Sequence, residues 1–99
     1  MTEKLSAEDR SKLLTGLYDM GWRMVDGRDA VTKLYSFRNF VEAFGWMTRV
    51  ALAAEKLGHH PEWTNVYKTV TVTLSTHEAG GLSELDVKLA ARMDALIAD

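Results

Sequence analysis

Val70-Thr71-Val72-Thr73-Leu74-Ser75 alternates apolar and hydroxyl-bearing side chains residue by residue. Successive side chains of a strand point to opposite faces, so Val70, Val72 and Leu74 share one face and Thr69, Thr71 and Thr73 the other. A strand with one apolar face needs a layer to cover that face and leaves the other for water or association. Just upstream, Asn65 to Tyr67 reads as its hairpin partner. Downstream, Ala79-Gly80-Gly81 is a loop, and Ser83-Glu84-Leu85-Asp86 resembles an acidic variant of a capping box. Leu85, Leu89, Met93 and Leu96 then recur at helical spacing, with Ile97 beside them.

Asn39 to Leu57 is the strongest helical segment. Phe40, Phe44, Met47, Ala51 and Ala54 form one apolar stripe, and Trp46, Val50, Ala53 and Leu57 form a second. A surface helix of a small domain needs only one such stripe. The second asks for another partner, expected to be the same helix of another subunit. Gly58 ends the segment. Before it, Trp22 to Val25, Asp26-Gly27 and Ala30 to Phe37 read as a first hairpin, because Asp-Gly tolerates the positive φ that tight turns demand. Its alternation is ragged, since Lys33 falls on the face of Val31 and Tyr35. Ser6 suits a helix N-cap, with Glu8 and Asp9 in the first turn, Leu13, Leu14, Leu17 and Tyr18 at helical spacing, and Gly21 as a stop. The order is α-β-β-α-β-β-α. Short hairpin links make the strands antiparallel, giving an α+β fold whose helices cover one face of the sheet.

With 99 residues the chain reads as one domain, 1–99. A core this small is thin, and self-association is a natural way to enlarge it. Hydrophobic residues make up 46% and charged residues 26%, a globular balance that excludes disorder. The net charge of -2 argues against direct nucleic-acid binding. Without cysteine there is no disulfide, thiolate nucleophile or Cys-based zinc site. Met1-Thr2-Glu3-Lys4 lacks the apolar run of a leader, and no stretch reaches the roughly 20 apolar residues of a membrane span. A cytoplasmic protein with no membrane partner is expected.

The three histidines sit at element ends. His59 and His60 follow the long helix and precede Pro61, which restricts His60 to extended conformations; His77 follows the last strand in Leu74-Ser75-Thr76-His77-Glu78. Imidazole titrates near physiological pH, which suits general acid–base work. Ordinary surface histidines remain the alternative, and a three-histidine zinc site is a sharper competitor, although no HExxH pattern supports it. Trp63 could wall a flat ligand or belong to the core. Glu55, one turn before His59, could face the same cleft. Asp86 could point into it or merely suit the helix dipole. Ser75 and Thr76 offer hydroxyls at a strand end. Gly80 and Gly81 form no phosphate loop, and no nucleophile elbow is present.

These residues resemble one family. Glu55-Lys56-Leu57-Gly58-His59-His60-Pro61-Glu62-Trp63, Asn65-Val66-Tyr67, Thr73-Leu74-Ser75-Thr76-His77-Glu78, Gly81-Leu82-Ser83 and Asp86 are similar to the pterin-4a-carbinolamine dehydratases. The likeness continues upstream through Gly27-Arg28-Asp29-Ala30 and Met47-Thr48-Arg49-Val50-Ala51-Leu52 and covers nearly the whole chain. The resemblance implies four antiparallel strands with three helices on one face. It implies a dimer that extends the sheet and a homotetramer, a dimer of dimers built on the long helices. The implied activity is dehydration of 4a-hydroxytetrahydrobiopterin to the quinonoid dihydropterin, which recycles tetrahydrobiopterin without metal or cofactor. By resemblance His59 and His77 are the acids and His60 orients the pterin. Glu55, Ser75, Thr76, Glu78 and Asp86 hold the pterin edge or steady a histidine, Gly58 and Pro61 shape the site, and Trp63 closes it. The animal member is also a dimerisation cofactor of a homeodomain transcription factor, so a coactivator using the long-helix surface, with a nuclear location, is the alternative. The chain departs from the animal pattern at Gly58, Ala79 and Leu85, and none of these replaces a histidine.

Overall fold

A computed structural model describes residues 2–97. Met1 of the N-terminal stretch and the last two residues of the expected domain lie outside the described residues. Helix α1 spans Ala7–Asp19, β1 Arg23–Met24, β2 Val31–Ser36, α2 Phe40–Leu57, β3 Glu62–Val66, β4 Thr69–Leu74 and α3 Glu84–Leu96, with one short 3-10 turn, η1, at His77–Ala79. The strands form one antiparallel sheet in the order β1-β2-β4-β3. This is the expected α+β architecture.

The alternation in β4 sets the layers. Val70, Val72 and Leu74 are fully buried and pair across the sheet with Tyr35, Lys33 and Val31 of β2. The opposite face carries Thr32, Leu34 and Ser36 beside Thr71 and Thr73, and Leu34 is exposed. Beneath the covered face, Trp22, Trp46, Val50, Leu82, Leu89 and Met93 complete the core. Trp46 stacks at a tilt on Tyr35, with centroids 4.4 Å apart, and its indole N–H donates to the Met93 carbonyl at 3.1 Å. Lys33 breaks the alternation of β2 for a specific reason. Its ammonium lies 2.6 Å from Asp94 Oδ1 on α3. The same carboxylate accepts from Tyr35 Oη at 2.6 Å and Trp22 Nε1 at 3.0 Å. Burial first, and the neighbouring carboxylate second, push the Tyr35 phenol well above its ordinary pKa, so it stays a donor.

Three details differ from the sequence reading. β3 begins at Glu62 rather than Asn65, so Trp63 is a strand residue opposite Val72. Tyr67 is not in a strand: it occupies the two-residue turn at φ 51°, which makes the tight reversal between Val66 and Thr69. On α2, Ala43, Trp46, Val50 and Ala54 face the core. Ala54 thus belongs with the buried stripe, and Met47 is half-buried against the core. Phe40, Val41, Phe44 and Leu52 remain outside, the two phenylalanine rings 5.7 Å apart. No helix among the described residues is long and apolar enough to cross a membrane.

Candidate active site

The end of α2 determines where the first two histidines go. Gly58 takes the left-handed conformation (φ 67°), which a side chain would strain, and its N–H returns to Glu55 O at 3.2 Å. The His59 N–H closes the turn on Ala54 O at 3.1 Å. The chain therefore leaves the helical path one residue before His59, and Glu55 does not meet it. Glu55 Oε1 pairs instead with His60 Nε2 at 2.6 Å, in an exposed contact.

His59 turns inward and is buried. Its Nε2 lies 2.6 Å from Asp86 Oδ1. Asp86 is completely buried, and its Oδ2 accepts from Thr76 Oγ1 at 2.7 Å and from the Ser83 backbone N–H at 2.9 Å. A carboxylate only accepts, so both Thr76 and His59 Nε2 donate to it. Thr76 Oγ1 then receives the Ser83 hydroxyl proton across 2.6 Å, and Ser83 Oγ receives the Leu85 N–H at 3.2 Å. Every proton in this chain has one consistent direction. The Ser83–Asp86 capping box of α3 is thereby part of the histidine's support. No buried side-chain nitrogen or oxygen among the described residues lacks a partner. His59 Nδ1, which makes no bond there, is thus not sealed off from the adjoining space.

His77 reaches the same place from the other side. Backbone bonds in both directions between Thr76 and Gly81 pinch off the loop that carries η1. Thr76 is buried, and His77, the next residue, is exposed. His59, His60 and His77 line one open cavity of about 470 Å³, together with Gly58, Ser75 and Glu78. Thr2, Glu62 and Leu85 also line it, and the sequence reading did not single them out as site residues. Glu62 carried a signal in its place inside the Pro61–Trp63 run, and Leu85 in its place beside Asp86, where the chain departs from the animal pattern. Pro61 and Trp63 do not line the cavity; the Trp63 ring packs 6.3 Å from Trp46. Asp86 and Thr76 stand behind His59 rather than on the cavity surface. Among the described residues no three His, Cys, Asp or Glu side chains converge as a metal ligand set.

A known family model, Pterin 4 alpha carbinolamine dehydratase, matches residues 3–96. The chain belongs to this family. A Roseobacter denitrificans relative, named as a candidate pterin-4-alpha-carbinolamine dehydratase, is 66% identical over 97% of this chain and 98% of its own length. One from Jannaschia sp. with the same name is 62% identical over the same shares. The crystal structure of a Brucella melitensis protein described as a transcriptional coactivator/pterin dehydratase superposes with a TM-score of 0.89. It is 46% identical over 96% of this chain and 99% of that one. A more distant neighbour, 25% identical with a TM-score of 0.68 over 80% of this chain and 92% of its own, is a pterin dehydratase-like protein described as a RuBisCO assembly factor in the alpha-carboxysome.

Proposed function

We propose that the protein eliminates water from a 4a-hydroxytetrahydropterin, giving the quinonoid dihydropterin. The carrying observation is that three imidazoles border one cavity, one of them clamped from behind by a buried carboxylate. Hydroxide is a poor leaving group, so a proton must reach the C4a oxygen as its bond to carbon breaks. Ring electrons close onto C4a, an N–H proton leaves the pterin, and water departs. His59 is suited to the proton delivery. With Nε2–H committed to Asp86, the atom that gains and gives the proton is Nδ1, and the carboxylate stabilises the imidazolium that forms. His77, on the exposed loop, serves the opposite ring face, so both 4a epimers are handled. His60, steadied by Glu55, orients the ring with Ser75 and Glu78. The protein contributes position and protons.

A stopped-flow assay with chemically generated 4a-hydroxytetrahydropterin tests this reading. The protein should accelerate loss of the carbinolamine above its spontaneous rate, and no acceleration at micromolar protein would refute it.

The exposed Phe40, Val41, Phe44 and Leu52 of α2 favour a second, compatible reading. This face associates with the same face of other copies to give a homotetramer. The same surface is the one a transcription-factor dimerisation domain would use.

A further inference from the structure

The loop that carries His77 has a narrow neck. The Thr76 N–H donates to Gly81 O at 3.0 Å and the Gly81 N–H donates to Thr76 O at 3.2 Å, so the two sides of the neck close on each other. The residues just outside it both bind Asp29, in the turn between β1 and β2. Ser75 Oγ donates to the Asp29 carbonyl at 2.9 Å, and the Leu82 N–H donates to Asp29 Oδ2 at 3.1 Å. One residue thus spans the neck, its backbone on one side and its carboxylate on the other. The carboxylate is fixed in turn from α1. Arg10 Nη2 donates to Oδ1 at 2.7 Å and Nη1 to Oδ2 at 3.2 Å, a two-pronged pair. This hydrogen bonding above all holds the Asp29 carboxyl below its ordinary pKa, so it remains an acceptor. Gly81 shows that the close approach is built in. Gly80 takes a left-handed φ of 77°, whereas Gly81 does not take a positive φ. A Cβ at Gly81 would instead collide with the Asp29 carboxylate and press on Lys4 Cε. The proposed proton transfers use none of these bonds, and neither Arg10 nor Asp29 lines the histidine cavity.

We infer that Asp29, braced by Arg10, is a positioning residue for His77; the inference deepens the dehydratase reading and rests on it. His77 is the first residue inside the neck, and it is exposed. Packing therefore does little to place its imidazole, and the backbone of the neck does most. The Thr76 side of the neck is secured by its own buried bonds to Ser83 and Asp86. The Gly81–Leu82 side leans on the Asp29 carboxylate. Loss of that carboxylate frees the far side of the loop and leaves the bond between Asp86 and His59 in place. A proton donor displaced by about 1 Å can cost about a hundredfold in rate, so a clamp outside the cavity still reaches the chemistry.

The test is Asp29→Ala in the full chain, assayed on the 4a epimer that His77→Ala slows more. Its kcat should fall about tenfold to a hundredfold, while the other epimer turns over at nearly the native rate. In a His77→Ala background the same substitution should cost less than about twofold, since nothing is left to position. Gly81→Ala, which displaces the carboxylate without removing its charge, should reproduce this pattern, and Arg10→Lys should retain more of the native rate than Arg10→Ala. Amide exchange at Gly80 and Gly81 should quicken in Asp29→Ala while that of β4 is unchanged. An unchanged kcat, equal losses for both epimers, full additivity with His77→Ala, or exchange quickened throughout β4 overturns the inference and leaves the dehydratase reading standing. A native protein that accelerates neither epimer overturns both.

Discussion

Replacing Asp86 with asparagine keeps the shape of the buried side chain and changes its hydrogen-bond capacity. Asp86 accepts three bonds, from His59 Nε2, Thr76 Oγ1 and the Ser83 N–H. An amide oxygen in the Oδ2 position retains the last two. The NH₂ group then faces His59 and donates where the carboxylate accepted, so the ring must present a lone pair at Nε2 and carry its proton on Nδ1. Forming the imidazolium would now set two donors against each other. The lost bond is a buried one to a charged group, a class worth about 1.5–3 kcal/mol. At 1.36 kcal/mol per factor of ten, this slows the step served by His59 by about tenfold to a hundredfold. On the proposed mechanism His77 addresses the other ring face, so the loss should be larger for one 4a epimer than for the other. Stopped-flow traces on epimer-enriched carbinolamine measure the rate, and ¹⁵N shifts of the His59 ring report the tautomer. The variant should show Nδ1–H where the native protein shows Nε2–H. Unchanged turnover of both epimers alongside a switched tautomer would sink the argument that His59 is an acid supported by Asp86.

Four further outcomes follow from other parts of the molecule. His77→Ala should lower the dehydration rate by about 10²-fold, the usual scale for a positioned acid, with an unchanged melting temperature because the side chain is exposed. Asp94→Ala strands the Lys33 ammonium and removes the partner of Tyr35 and Trp22, and should cost about 3–5 kcal/mol in urea unfolding; a loss under 1 kcal/mol would contradict the contacts described. Phe44→Glu should shift sedimentation of the native assembly toward smaller species, whereas a native protein that sediments as a monomer would refute the α2 interface. Asp29 is held below its ordinary pKa, chiefly by the Arg10 hydrogen bond. A depressed folded pKa contributes stability that is complete above the unfolded value of about 4 and is lost as pH falls through the folded value. Asp29→Asn should therefore flatten the acid limb of the stability–pH curve, and an unaltered limb would remove that contribution.

Much of this was legible in the residues because local and tertiary signals agree. The β4 alternation, the Ser6 cap of α1, whose side chain accepts from the Asp9 N–H, and the Ser83–Asp86 box each gave an element that tertiary packing preserves. Where they compete, the reading slipped. The hairpin partner reads from Asn65, yet β3 starts at Glu62, because its ladder with β4 runs back as far as Thr73. Both stripes of α2 are apolar, so only packing shows that Ala54 turns inward and Phe44 outward. In the site, helical spacing paired Glu55 with His59, but the left-handed Gly58 redirects the chain and gives Glu55 to His60. Thr2 reaches the histidine cavity from a distant segment, and no local pattern announces such a meeting.

The side chain that starts α3 also dictates which nitrogen of His59 is protonated. Fraying of that first turn and disarming of the proposed acid are therefore one event rather than two. On gradual heating, turnover should fail in step with deuterium uptake at the Asp86 amide, well before the sheet lets go. Longevity of the fold and longevity of the catalyst would then be separate properties, governed by different ends of the same short helix.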